Sequence, residues 1–151
     1  MNQSIYAIGT FDTKGSELEW IAERLRHIGI AVKTVDVGTL SPPTQTPDVT
    51  REEVLDGVNL PSNNHRGDSI RVMGAALRNY LAREVAANRV AGIIGIGGSG
   101  GTSLITAGMR DLPIGLPKLM VSTVASGNTA PYVDCSDITM MYSVVDVAGL
   151  N

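Results

Sequence analysis

Five glycines in seven positions, Gly95, Gly97, Gly98, Gly100 and Gly101, surround Ser99 and run on into Thr102. Glycine lets a backbone approach a ligand closely and take up positive φ without steric cost. Amides gathered ahead of a helix suit a phosphate or another anion. The run lies between an apolar stretch, Val90 to Ile94, read as a buried strand, and a helix expected over Ser103–Arg110. Gly97, Gly98, Ser99, Gly100, Gly101 and Thr102 are therefore candidate ligand-binding residues. Packing glycines in a flexible turn are the alternative.

Two generic motifs overlap there. Gly95, Gly97 and Gly100 satisfy G-x-G-x-x-G, which expects a ribose-binding carboxylate about 20 positions on, after the next strand. That strand ends in Ser122 and Thr123, with no carboxylate. Gly97, Ser99 and Gly101 satisfy G-x-S-x-G, the nucleophile elbow, whose triad histidine follows the serine. His27 and His65 both precede Ser99, so the order argues against a serine hydrolase.

A second candidate loop is Gly9-Thr10-Phe11-Asp12-Thr13-Lys14-Gly15-Ser16. A Walker loop ends Gly-Lys-Ser/Thr, whereas this one ends Lys-Gly-Ser. Lys14 can still act as a point charge on phosphate, with Thr10 and Thr13 as hydroxyl donors. Asp12 either holds a magnesium ion or caps the following helix. Asp36, at the end of the second strand, is where a ribose carboxylate would sit, or else a solvated strand end. Arg66 either clamps phosphate bidentately or is an ordinary charge at an exposed helix start, and Thr123 heads a third loop with hydroxyl donors. Cys135 reads as a packed thiol, and two histidines with one cysteine make no zinc set.

These residues need a scaffold. Ile5–Gly9 reads as a strand and Gly15–Ile28 as an amphipathic helix, with Leu18, Ile21, Ala22, Leu25 and Ile28 on one face. Ala31–Val37 closes a right-handed βαβ unit. Prolines 42, 43, 47 and 61 then punctuate a long insertion, 38–65, interrupted by a short helix because Thr50 and Glu53 have capping-box spacing. A long helix is expected over Gly67–Asn88, a strand over Lys118–Thr123, and further strands at Ile138–Tyr142 and Ser143–Val147. Alternating elements of this kind define an α/β, three-layer Rossmann-like domain with a mostly parallel sheet, spanning 1–151 as a single subdomain. A last strand with no helix to cover it points to an edge strand, or to a further domain or partner. Trp20 lies off the apolar stripe, which suits either an interface or partial burial.

Composition narrows the partners. With 12 basic and 15 acidic side chains the net charge is −3, and no Lys/Arg stripe marks a nucleic-acid surface. No window of 18 apolar residues and no leader are visible, so no membrane is expected. One cysteine excludes an intrachain disulfide and suits a reducing cytoplasm.

At the same residues the chain resembles the ATP-binding domain family of the tomato mosaic virus resistance protein and its bacterial and fungal relatives. The likeness rests on Gly9 to Lys14, Val35-Asp36-Val37, Gly95 to Leu104, and the block Pro117 to Asn151. It implies a Rossmann-like subdomain that takes part in binding ATP with magnesium. The matching positions are Asp12, Thr13 and Lys14 and Gly97 to Gly100, with Arg66 and Thr123 as weaker carry-overs. Family members continue into a second α/β subdomain, so the resemblance implies an amino-terminal part with that subdomain as partner; a homo-oligomer is the other partner expected. A nucleotide-binding domain is the expectation. An enzyme on a phosphorylated or carboxylated metabolite and a non-catalytic interaction module are the alternatives; no catalytic base is legible.

Overall fold

The computed structural model describes residues 3–61 and 66–143. The elements run β1 (Ser4–Gly9), α1 (Phe11–His27), β2 (Val32–Asp36), α2 (Arg51–Leu55), α3 (Arg66–Ala86), β3 (Val90–Gly97), α4 (Ser99–Met109), β4 (Lys118–Ser122), α5 (Ala130–Val133) and β5 (Thr139–Tyr142). Every strand pairing is parallel, in the order β2-β1-β3-β4-β5. The chain winds one way from β1 to β2, then crosses back over β1 to β3. The point of reversal opens a crevice at the carboxyl ends of β1 and β3, where open α/β sheets bind ligands. The α/β class is as expected, with a sheet wholly parallel among the described residues.

Alternation along the strands sets the layers. Tyr6, Ile8, Ile93 and Met120 pack with Met73, Leu77, Leu81, Leu104 and Ile105 from α3 and α4. Ala7 and Ile96 face the other way, onto Phe11 and Leu18 of α1. Helix α1 lies over β2, β1 and the near side of β3. Past it, Ile94, Leu119 and Val121 are only half-buried and Met141 is 55% exposed, although parallel sheets ordinarily cover both faces.

The element boundaries correct the sequence reading where it matters most. Helix α1 begins at Phe11, not Gly15, and α4 at Ser99, not Ser103. Strand β3 runs on to Gly97. Asp12, Thr13 and Lys14 thus lie in a first helical turn rather than a loop. The glycine run contracts to a strand end, one capping residue (Gly98) and another first turn. None of its glycines has positive φ. Closeness explains two of them: a Cβ on Gly97 would lie 3.0 Å from the Gly101 and Thr102 backbone, and one on Gly95 2.7 Å from Ile105 and Met120.

The short helix and its capping box are present, with the Thr50 hydroxyl accepting from the Glu53 amide and the Glu53 carboxylate accepting from the Thr50 amide. Cys135 is exposed, not packed, because it follows a single turn of helix with no buried residue. Trp20 is also exposed, beneath Arg24 in a cation–π contact. His65, the end of the proline-rich insertion and all but the first residue of the strand expected over Ser143–Val147 lie outside the described residues.

Candidate functional site

The crevice at the switch point is a cleft of about 500 Å³. Its lining comes from five places: Thr10, Asp12, Thr13 and Lys14 at the start of α1; the cap Gly98 with Ser99, Gly100, Gly101 and Leu104 of α4; Thr123 and Val124 after β4; Thr39 and Leu40 from the β2 exit; and Arg66 and Ile70 of α3. Segments distant in sequence therefore meet around one space. Of the candidates, Asp12, Thr13, Lys14, Arg66, Gly98, Ser99, Gly100, Gly101 and Thr123 are brought together here.

Helix α4 contributes its open end. Geometry leaves the Ser99, Gly100 and Gly101 amides without acceptors inside the helix, and the cap, Gly98, has no side chain to supply one. Their partial positive charge faces the cleft. Helix α1 contributes differently. Its Phe11 amide donates to Asp36 Oδ1 at 3.0 Å, and its Thr13 and Lys14 amides turn back to the Thr10 carbonyl. What α1 offers is its dipole, the paired Thr10 and Thr13 hydroxyls 2.7 Å apart, and Lys14. The Lys14 ammonium lies 3.4 Å from Glu17 Oε1.

Three candidates do not line the cleft. Gly97 is the tight strand end beneath it. Thr102 is fully buried and hydrogen-bonds Ser122, 2.6 Å away. Asp36 is 1% exposed, and its carboxylate accepts from the Phe11 and Gly38 amides and pairs with Arg51. It is part of the support, not a ribose ligand held in the open. Leu40, Leu104 and Val124 were not singled out from sequence, and Ile70 read only as one of the apolar residues of a helix. A lone leucine in a polar, proline-rich stretch is the signal that could have found Leu40.

Asp12 Oδ2 accepts from the Leu40 amide at 3.1 Å and the Ser41 amide at 3.3 Å, while Oδ1 lies 3.4 Å from the Thr13 hydroxyl. Among the described residues no group of three metal-ligating side chains gathers. One carboxylate beside two hydroxyls fits magnesium only in company with a ligand's phosphate oxygens, which is how that ion is commonly held.

The strongest titration shifts lie at the opposite, amino-terminal end of the sheet. Glu84 is held down to about 2, chiefly by hydrogen bonds from Arg89 and also by Tyr6, against the cost of its burial. Burial pushes Tyr80 up to about 12, helped by the Glu84 charge. That cluster stabilises the fold and takes no part in the cleft.

A doubly wound parallel domain with a cleft at its switch point is the class these features define. Residues 3–151 match the family model described as "Uncharacterised protein family (UPF0261) N-terminal domain", and the chain belongs to that family. It is 49% identical to a UPF0261 protein of Mesorhizobium japonicum over 158 residues, covering 97% of this chain and 37% of the relative. A UPF0261 protein of Rhizobium meliloti is 51% identical over 152 residues, with the same coverage of each chain. The ToMV resistance protein Tm-1 of Solanum lycopersicum is 37% identical over 167 residues, covering 97% of this chain and 22% of the tomato protein. The chain thus spans little more than a third of the bacterial relatives it matches. No helix among the described residues is long and apolar enough to cross a membrane.

Proposed function

We propose that this domain binds a nucleotide, ATP with magnesium, at the switch-point cleft. The observation that carries the reading is the convergence of the uncapped α4 amino terminus, the α1 amino terminus, Lys14 and Arg66 on one space. Phosphate oxygens would accept from the Ser99, Gly100 and Gly101 amides, with Lys14 and Arg66 balancing their charge. Asp12 would share a magnesium ion with those oxygens. The apolar side chains of Leu40, Ile70, Leu104 and Val124 leave room for a less polar body beside the phosphates. A second α/β subdomain or a second copy of the chain is the partner this reading expects, in a cytoplasmic setting.

Calorimetry tests it with the wild type and a Lys14→Ala/Gly100→Val double variant. A Cβ on Gly100 would lie 3.1 Å from the Ile70 side chain and 3.7 Å from the Arg66 guanidinium, so valine there intrudes on the cleft. ATP binding by the wild type and its loss in the folded double variant are expected. An unchanged affinity would refute the assignment. Thermal stabilisation by sugar phosphates or carboxylic acids, but not by ATP, would favour a metabolite-binding enzyme built on the same donors.

A further inference from the structure

The chain leaving β2 forms one wall of the cleft, and a buried carboxylate and a part-buried guanidinium, neither lining the cleft, hold it there. Asp36 Oδ1 accepts from the Gly38 amide at 2.7 Å as well as from Phe11. The Arg51 side chain, 12% exposed at the start of α2, puts its Nε 3.3 Å from Asp36 Oδ2. Its other two nitrogens donate to the Gly38 carbonyl at 3.3 Å and the Ser41 carbonyl at 2.5 Å. From α1, Asp12 accepts from the Leu40 and Ser41 amides. Residues 38–41 are thereby gripped from β2, α2 and α1 at once.

Such a pair carries a desolvation cost that apolar residues of similar size would not. The planar fork of a guanidinium can meet one carboxylate and two carbonyls together, which a lysine cannot do. What the clamp fixes is Thr39 and Leu40, both on the cleft wall. Leu40 is 60% exposed, an apolar surface left facing a space that has amides and cations at its far end.

We propose that Asp36 and Arg51 are positioning residues that set Thr39 and Leu40 against the non-phosphate body of the bound ligand. This inference rests on the nucleotide-binding reading above. The phosphate end would be held by α1 and α4, which Arg51 does not touch, and Asp36 meets α1 only at the Phe11 amide. The clamp therefore governs how the cleft tells a nucleotide from a bare polyphosphate.

The test compares ATP with inorganic tripolyphosphate by calorimetry on wild type, Arg51→Gln and Leu40→Gly, with hydrogen exchange followed over residues 36–45. The wild type should prefer ATP. Each variant should lose about tenfold in ATP affinity while tripolyphosphate stays within twofold. Exchange in that segment should quicken in Arg51→Gln while β1, β3 and β4 keep their protection. Leu40 is exposed, so Leu40→Gly stays folded if Arg51→Gln does not. Equal losses for both ligands, or unchanged ATP affinity in both variants, would overturn the positioning role and leave nucleotide binding standing. A wild type that binds neither ligand would overturn both.

Discussion

The Thr102 and Ser122 hydroxyls meet at 2.6 Å with no exposure to solvent, joining the first turns of α4 to the last residue of β4. Ser122 Oγ also accepts from the Val124 amide at 3.1 Å. One buried pair thus places the turn that brings Thr123 and Val124 to the cleft. Replacing Thr102 with valine keeps the shape and removes a hydrogen-bond partner from a buried hydroxyl. Destabilisation of about 1–2 kcal/mol is expected for Thr102→Val in denaturant unfolding. Ser122→Ala should cost a similar amount, and the double variant less than the sum, since both remove one interaction.

The glycine run is two structures in one string, and alanine scanning should separate them. A Cβ on Gly95 would lie 2.7 Å from both Ile105 Cγ2 and Met120 Sδ, in the packed core under β3. Gly95→Ala should cost about 1–3 kcal/mol through overpacking. Gly100 sits in the first turn of α4, where the nearest neighbour of a new Cβ is the movable Ile70 Cδ1 at 3.1 Å. Gly100→Ala should leave stability unchanged or raise it by up to about 0.5 kcal/mol, because alanine suits a helix better than glycine. Thermal melts of the two variants check the contrast.

That contrast also explains what sequence could and could not reveal. Strand and helix types followed from apolar periodicity, and the capping box at Thr50 and Glu53 was legible because its signal is local. The starts of α1 and α4 were placed four residues late. Asp12, Thr13 and Gly15, and the Ser99-Gly100-Gly101 run, are poor helix formers, and tertiary packing overrides that weak preference. Two loops at the carboxyl ends of β1 and β3 were enough to locate the cleft. The Asp36–Arg51 clamp was not legible, since the two residues are separated by a proline-rich segment that has no periodicity. Asp36 was singled out for its position, and only the fold shows its charge turned inward.

Acid should loosen the amino-terminal end of the sheet first. Glu84 accepts from the Tyr6 hydroxyl at 2.5 Å and from two nitrogens of Arg89. Its folded value of about 2 lies below the 4.5 of an unperturbed glutamate. A lowered value means stability that is fully present above about 4.5 and drains away as pH falls toward about 2. The contribution at neutral pH is on the order of 2–3 kcal/mol after allowing for the partly exposed arginine. Unfolding free energy measured between these limits should rise with pH in the wild type. Glu84→Gln should flatten that rise.

Glu17 should oppose ligand binding, and its removal should therefore strengthen it. Its carboxylate lies 3.4 Å from the Lys14 ammonium, one turn along α1 from the cleft. There it competes for the cation and adds a negative field near the place where phosphate would sit. A polyanion must compete with that carboxylate for Lys14, and the pair is only part-buried, so the competition is sensitive to salt. Glu17→Gln is expected to raise ATP affinity about two- to fivefold at low ionic strength, and Lys14→Ala to lower it by at least as much. Both differences should shrink in 0.5 M salt, roughly where screening shortens to about 4 Å. Titrations at two salt concentrations check the sign. A Glu17→Gln variant that binds ATP more weakly would place Lys14 outside the phosphate's reach.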